Sequence, residues 1–165
     1  MNSWRCTGCG LCCRGFDVTL KFNEWLNLVR TYGVGVTKAG LNKFYIQKKA
    51  DGSCLFLSRV NGIQFCGLQS MKPTACKLWP FKVLDKPKYG RAREALFDYK
   101  GRRFFIYVDP FCPEIGWGKP TTKIIRNVIP EFIDIALGQR EKQFHSTSMT
   151  LYDLYPRKKW DYRVI

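Results

Sequence analysis

Four cysteines within eight residues, from Cys6 to Cys13, constrain this chain more than any other feature. A CxxC spacing brings two sulfurs from one tight turn to a single ion or cluster, and the intervening glycines permit the positive backbone φ that such a turn needs. The segment therefore predicts a metal site. Four more cysteines follow, and we expect all eight to be metal ligands: Cys6, Cys9, Cys12, Cys13, Cys54, Cys66, Cys76 and Cys112.

Disulfide bonding is the main alternative use for so many cysteines. The first residues lead straight into the cysteines instead of an apolar signal-peptide core, and no apolar run approaches the roughly 20 residues that cross a bilayer. We therefore expect a cytoplasmic protein that does not associate with a membrane. In that compartment thiols stay reduced, which favours metal ligation over disulfides.

The length of 165 residues and the 45% hydrophobic content are sufficient for one packed domain. Residue patterns predict a strand over residues 14–20, a helix capped by Asn23 and ended by Gly33, and a hairpin turning at Asn61-Gly62. They also predict a short helix between Pro73 and Pro80, a hairpin turning at Lys100-Gly101, and a helix capped by Thr121 or Thr122 that Pro130 kinks or divides. The prediction is a small, irregular, metal-stapled α+β domain over residues 1–144. A basic, aromatic tail follows at residues 145–165.

The net charge of +15, from 28 Lys and Arg against 13 Asp and Glu, is the second strong feature. Such a surface attracts polyanions through counterion release, and interleaved aromatic rings can stack on unpaired bases. A solvated basic surface without a partner is the alternative. We expect RNA contacts at Lys82, Lys86, Lys88, Arg91, Arg93, Lys100, Arg102, Arg103, Arg157, Lys158, Lys159, Trp160 and Arg163.

Five segments together resemble the YkgJ-like cysteine-cluster family, whose members are described as zinc- or iron-chelating. They are CxxCxxCC at 6–13, GxC at 52–54, Cys66, KPxxCKxWPF at 72–81 and CPEIGWGKP at 112–120. The chain departs from the family pattern at Lys72 and Lys77, where arginines are usual, and at Glu114, where glycine is usual. Because every cysteine is retained, the resemblance implies that metal ligation is retained too.

The CxxCGxC opening also resembles ferredoxin cluster loops, in which a distant Cys-Pro supplies a further ligand. Adjacent cysteines point apart in most backbone conformations, so we expect Cys12 and Cys13 to serve different metals. We therefore divide the eight cysteines between two metal sites. Cys6, Cys9, Cys12 and Cys112 are expected around one [4Fe-4S] cluster, and Cys13, Cys54, Cys66 and Cys76 around a second cluster or a zinc ion. Zinc with four thiolates is the alternative at either site.

Two classes of function remain. The first is a noncatalytic metal-binding protein that binds RNA, associated with ribosomal RNA and ribosomal proteins or another ribonucleoprotein. The second is an iron-sulfur redox or protein-modifying enzyme, because the family also resembles the cysteine-rich part of flagellin lysine methylase. The sequence favours the first class: it contains no paired carboxylates, no Ser-His-Asp set, no nucleotide-binding glycine signature and no evident small-molecule site, and His145 is a lone histidine.

Overall fold

The computed structural model describes residues 1–145 and 147. The described chain is an α+β domain whose elements, in order, are β1 (Ser3–Trp4), α1 (Cys12–Gly15), β2 (Thr19–Leu20), α2 (Phe22–Tyr32), a 3₁₀ turn (Val34–Val36), β3 (Thr37–Ala39), β4 (Phe44–Ile46), β5 (Leu57–Val60), β6 (Ile63–Cys66), α3 (Thr74–Leu78), β7 (Phe81–Leu84), α4 (Ala92–Ala95), β8 (Leu96–Tyr99), β9 (Arg102–Val108), β10 (Ile115–Gly116), a π-helical segment (Ile124–Val128) and α5 (Ile129–Ala136). The short helices and strands confirm the predicted fold class.

The strands pair only with antiparallel neighbours. Among the described residues they form four small sheets, with strand orders β1-β10, β2-β4-β3, β5-β6 and β7-β9-β8. The pairing of β1 with β10 joins the two ends of the cysteine-bearing region, because Trp4 lies opposite Ile115.

Two tight turns set the register of the predicted hairpins. Asn61 and Gly62 both have positive φ, of 49° and 82°, and Val60 pairs with Ile63 on either side of them. Lys100 and Gly101 do the same between β8 and β9, with φ of 51° and 73°. Successive residues with positive φ match the twist of a two-residue hairpin, so both predicted hairpins are confirmed.

Helix α2 begins earlier than the sequence predicts. Its N-cap is Lys21, whose backbone N–H donates to the Glu24 carboxylate at 2.9 Å, so the predicted cap at Asn23 is wrong. The predicted end is confirmed at Gly33, whose φ of 86° takes the chain out of the helix. The strand predicted over residues 14–20 is also too long. Arg14 and Gly15 belong to α1, because both N–H groups donate to the Leu11 carbonyl.

Two separate hydrophobic cores hold the elements together. The first is centred on Phe104, Phe132 and Ile133 and packs β7 and β9 against α5, with the Trp4 ring edge-on to Phe81 at 5.4 Å. The second contains Leu20, Leu28, Ile46, Cys54, Leu57 and Leu68 and packs α2 against the two N-terminal sheets. The predicted division of the C-terminal helix at Pro130 is confirmed, since the chain changes from π-helical to α-helical geometry at Ile129.

Candidate metal centre

All eight cysteines line one cavity with a volume of about 280 Å³. They are free thiols, carried there by the N-terminal loop, the β5–β6 region, α3 and the loop before β10. The two hydrophobic cores contribute to different parts of this lining. Cys112 belongs to the first core and Cys6 packs against it, whereas Cys54 belongs to the second core with Cys13 and Cys66 against it.

Backbone hydrogen bonds fix the N-terminal loop to the β5–β6 hairpin. The Gln64 N–H donates to the Gly8 carbonyl at 2.9 Å, and the Cys54 N–H donates to the Cys13 carbonyl at 2.7 Å. Gly8 and Gly10 take φ values of 70° and 75°, so the positive φ predicted for this loop is confirmed. These contacts bring cysteines that are more than forty positions apart in sequence to the same wall of the cavity.

Cys112 and Cys76 are held by other elements. The Trp4 indole N–H donates to Cys112 Sγ at 3.4 Å, which connects this thiol to the paired strands β1 and β10. Cys76 lies on α3, whose first residue, Thr74, donates its backbone N–H and its hydroxyl to Glu24 Oε1 at 2.7 and 2.6 Å. The Cys112 thiol is therefore held by a direct hydrogen bond, whereas Cys76 is positioned by the anchoring of its helix to α2.

The side chains of Cys12 and Cys13 do not point apart, contrary to the expectation for adjacent cysteines. Their sulfurs are 3.9 Å from each other, because both residues lie on the single turn of α1. The hydrogen bond between them lowers the pKa of the Cys12 thiol to about 7 and raises the pKa of Cys13. The two sulfurs therefore face the same part of the cavity.

Burial raises the pKa of three other thiols. It raises the pKa of Cys6, Cys54 and Cys76 above the ordinary value, and repulsion from Cys66 and Cys54 raises the pKa of Cys76 further. A buried thiolate needs a compensating positive charge, and a bound metal ion supplies one while displacing the proton.

The donor set fits zinc or iron. Thiolates are the preferred ligands of both zinc and iron-sulfur clusters. Within residues 1–145 and 147, however, no three Cys, His, Asp or Glu side chains close around a single ion position. The thiols share a cavity but are dispersed over its walls.

A family model agrees with this chemistry. Residues 5–113 match CxxCxxCC, described as a putative zinc- or iron-chelating domain. The chain belongs to this family. The match covers every cysteine and ends just after Cys112, so the π-helical segment, α5 and the residues that follow lie outside it.

No curated protein and no solved structure matches the chain. Zinc or iron chelation is therefore the functional description that the family itself supplies. In the described part of the chain, every helix is too short or too polar to span a bilayer.

Three site residues have roles that the sequence did not reveal. Trp4 contacts the Cys112 sulfur, Glu24 anchors the helix that carries Cys76, and Lys72 is buried in the cavity wall. Only Lys72 lies in a segment that the family resemblance had marked. Trp4 and Glu24 are separated from their partners by 108 and 50 positions, so nothing local in the sequence connects them.

The eight basic residues predicted between 82 and 103 are all exposed, on and around the sheet β7-β9-β8. Several form ion pairs: Lys82 with Asp109 at 3.3 Å, Lys100 with Asp134 at 2.9 Å, Arg102 with Asp85 at 3.5 Å and Arg103 with Asp98 at 3.5 Å. Of the interleaved aromatic residues, Tyr89 is exposed, whereas Phe97 and Tyr99 are half-buried. The predicted contacts at Arg157, Lys158, Lys159, Trp160 and Arg163 lie outside the described residues.

Part of the predicted tail packs on the domain. The N–H groups of Phe144 and His145 donate to the buried Glu131 carboxylate at 2.8 and 2.9 Å. Thr147 donates its hydroxyl to the Cys76 carbonyl at 3.1 Å and lines the metal cavity. The chain therefore returns to the cysteine site at Thr147, close to residue 145, where the tail was predicted to begin.

Proposed function

We propose that this is a noncatalytic metal-binding protein whose eight cysteines hold one or two [4Fe-4S] clusters, with zinc as the alternative at either site. The observation that carries the proposal is the convergence of all eight thiols on one cavity lined by both hydrophobic cores. The role of the metal is structural. It connects two small cores that are joined otherwise by loops and short strands, and so replaces a larger apolar interior.

The distribution of the thiols supports two sites. Cys6 and Cys112 are associated with the first core, and Cys13, Cys54 and Cys66 with the second, which is the division expected if each core carries its own centre. Cys12 and Cys13 are in contact, so the two centres would lie side by side. A cluster binds each thiolate through a different iron, and this requirement suits sulfurs that are dispersed around a cavity.

The test is metal and sulfide analysis, with an absorption spectrum, of protein purified without oxygen. Broad absorbance near about 400 nm together with stoichiometric iron and sulfide would establish clusters. Colourless protein with one or two equivalents of zinc would establish the alternative metal. Folded protein that contains neither metal and takes up neither on reconstitution would overturn the proposal.

We also propose that the protein binds RNA through the face of the sheet β7-β9-β8. The expected partners are ribosomal RNA and ribosomal proteins. Lys82 and Lys88 place their ammonium groups 5.0 and 5.6 Å from the centre of the exposed Tyr89 ring. The Tyr89 ring offers a base-stacking surface, and Lys88 beside it offers a phosphate contact. Of the eight predicted contacts in this segment, Lys82, Lys100, Arg102 and Arg103 form ion pairs, whereas Lys86, Lys88, Arg91 and Arg93 have no carboxylate within 4 Å among the described residues.

Binding to single-stranded RNA measured over a range of salt concentrations tests this partner. We expect Lys88→Ala to weaken binding and reduce the salt slope by about 0.7, the value for one phosphate contact on a single strand. Tyr89→Ala should cost about 1–3 kcal/mol of binding free energy through lost stacking. Lys43→Ala is the control, because Lys43 is an exposed lysine in the loop just before β4. Absence of RNA binding at low salt would refute the RNA partner and leave the metal proposal intact.

A further inference from the structure

Lys72 is a buried lysine in the wall of the thiol cavity. Its side chain is held between α3 and the returning chain, and only 5% of the residue is exposed. The ammonium group donates to the Thr147 carbonyl at 2.6 Å and to the Thr147 hydroxyl at 3.4 Å. The Nζ atom is therefore fixed in position and screened from solvent.

No carboxylate among residues 1–145 and 147 lies within ion-pair distance of Lys72. A buried ammonium without a counter-ion costs several kcal/mol, and neutral oxygens such as those of Thr147 offset only part of that cost. Asp17, Asp109 and Glu114 also line the cavity, but none of them lies within 4 Å of Lys72, and Asp17 and Asp109 are paired with other lysines. Thiolates are the remaining anionic groups of the cavity.

A metal bound by four thiolates is itself anionic. A divalent zinc ion with four thiolates carries a net charge of about −2, as does a doubly positive cluster core with four thiolate ligands. Removing such a centre from water is unfavourable unless fixed positive charge or hydrogen-bond donors surround it. Lys72 and the metal centre thus each lack the charge that the other provides.

We propose that Lys72 is the internal counter-cation of the metal centre and that its charge, rather than its packing, tightens metal binding. This inference rests on the proposed metal-binding function. It makes Lys72 a positioning residue, since it acts on the metal through the thiolates. Thr147 takes part by holding Nζ against the cavity and by donating its own hydroxyl to the Cys76 carbonyl.

Metal retention by the loaded protein tests the role of the charge. Lys72→Met preserves the length and apolar stem of the side chain but removes the charge, and Lys72→Arg preserves the charge. We expect Lys72→Met to weaken metal binding by about 10- to 100-fold in competition with a chelator, the usual effect of losing a group that supports the ligands. Lys72→Arg should remain within about threefold of the wild-type protein on the same scale.

Lys77→Met is the matched control. Lys77 lies on α3, has the same charge, donates to the Glu141 carbonyl at 3.4 Å and does not line the cavity, so its removal should leave metal affinity unchanged.

Acid release of the metal gives a second readout. Because four thiolates must be protonated for release, a 10- to 100-fold loss of affinity moves the half-release pH upward by about 0.25–0.5. Should Lys72→Met not fold, Lys72→Gln retains an N–H donor for the Thr147 carbonyl and allows the same comparison. Wild-type and Lys72→Met proteins with equal affinity and equal release pH would overturn this inference alone. A wild-type protein that binds no metal would overturn the proposed function together with it.

Discussion

Replacing Glu24 should weaken the link between α2 and the helix that carries Cys76. One carboxylate serves two helix starts: Oε2 accepts the Lys21 N–H at 2.9 Å, and Oε1 accepts the N–H and the hydroxyl of Thr74 at 2.7 and 2.6 Å. Hydrogen bonds to a charged group contribute about 1.5–3 kcal/mol each when buried, and an N-cap contributes about 1 kcal/mol. Because Glu24 is only half-buried, we expect Glu24→Ala to lower the free energy of unfolding by about 2–4 kcal/mol.

Denaturant titration of the metal-loaded protein measures this loss as a shift of the midpoint at constant m-value. The corresponding decrease in Tm is about 4–16 °C for a chain of this size. Glu24→Gln retains one carbonyl oxygen for Thr74 but presents an amide donor to Lys21, so about half of the loss should remain. Glu141→Ala removes an exposed carboxylate of the same charge and should change stability by less than about 0.5 kcal/mol. If Glu24→Ala matched Glu141→Ala, the carboxylate would not be a joint cap.

Three further changes test the site. Cys12→Ser and Cys13→Ser should each reduce a different metal centre, measured as metal content and absorption of purified protein; equal loss of the same single centre would refute the partition. Gly10→Ala should lower the free energy of unfolding of the loaded protein by about 1–2 kcal/mol in a denaturant titration, because the φ of Gly10 is 75° and an added Cβ would lie 2.6 Å from Gln64 Cγ. Gly15→Ala is the control and should be neutral, because Gly15 has open space around it. Removal of metal by a chelator should unfold the domain, and unchanged circular dichroism and Tm of a verified metal-free sample would contradict a structural role.

Local sequence chemistry predicted the turns and helix ends well. Asn61-Gly62 and Lys100-Gly101 specify their hairpins through positive φ, and Gly33 specifies the end of α2 in the same way. The start of α2 was predicted less accurately because Lys21 is a poor cap by residue type. It serves as one because the Glu24 side chain accepts its N–H, and Glu24 is fixed by Thr74, a residue 50 positions away.

The convergence of the cysteines was predictable from the sequence, but the contacts that support it were not. Cysteine count, spacing and the family resemblance together selected the eight thiols that line the cavity, and their ligation of a metal stays a prediction. The contacts that orient them are long-range, as in the Trp4 hydrogen bond to Cys112 and the Gln64 hydrogen bond to Gly8. The contact between Cys12 and Cys13 depends on the helical turn of α1. The sequence did not predict this helix, and adjacent cysteines were expected to point apart.

The residues beyond the family match explain how this chain can close its metal site. Glu131 on α5 is buried and binds the N–H groups of Phe144 and His145, which directs the chain back toward Cys76. Thr147 then contacts both the Cys76 carbonyl and Lys72. A cysteine domain that ended at residue 113 would leave the Lys72 ammonium without these oxygens and the cavity without one wall. The segment that follows the family match therefore completes the wall of the cysteine cavity, and substitution of Glu131 should weaken metal retention if Lys72 and Thr147 act on the metal as proposed.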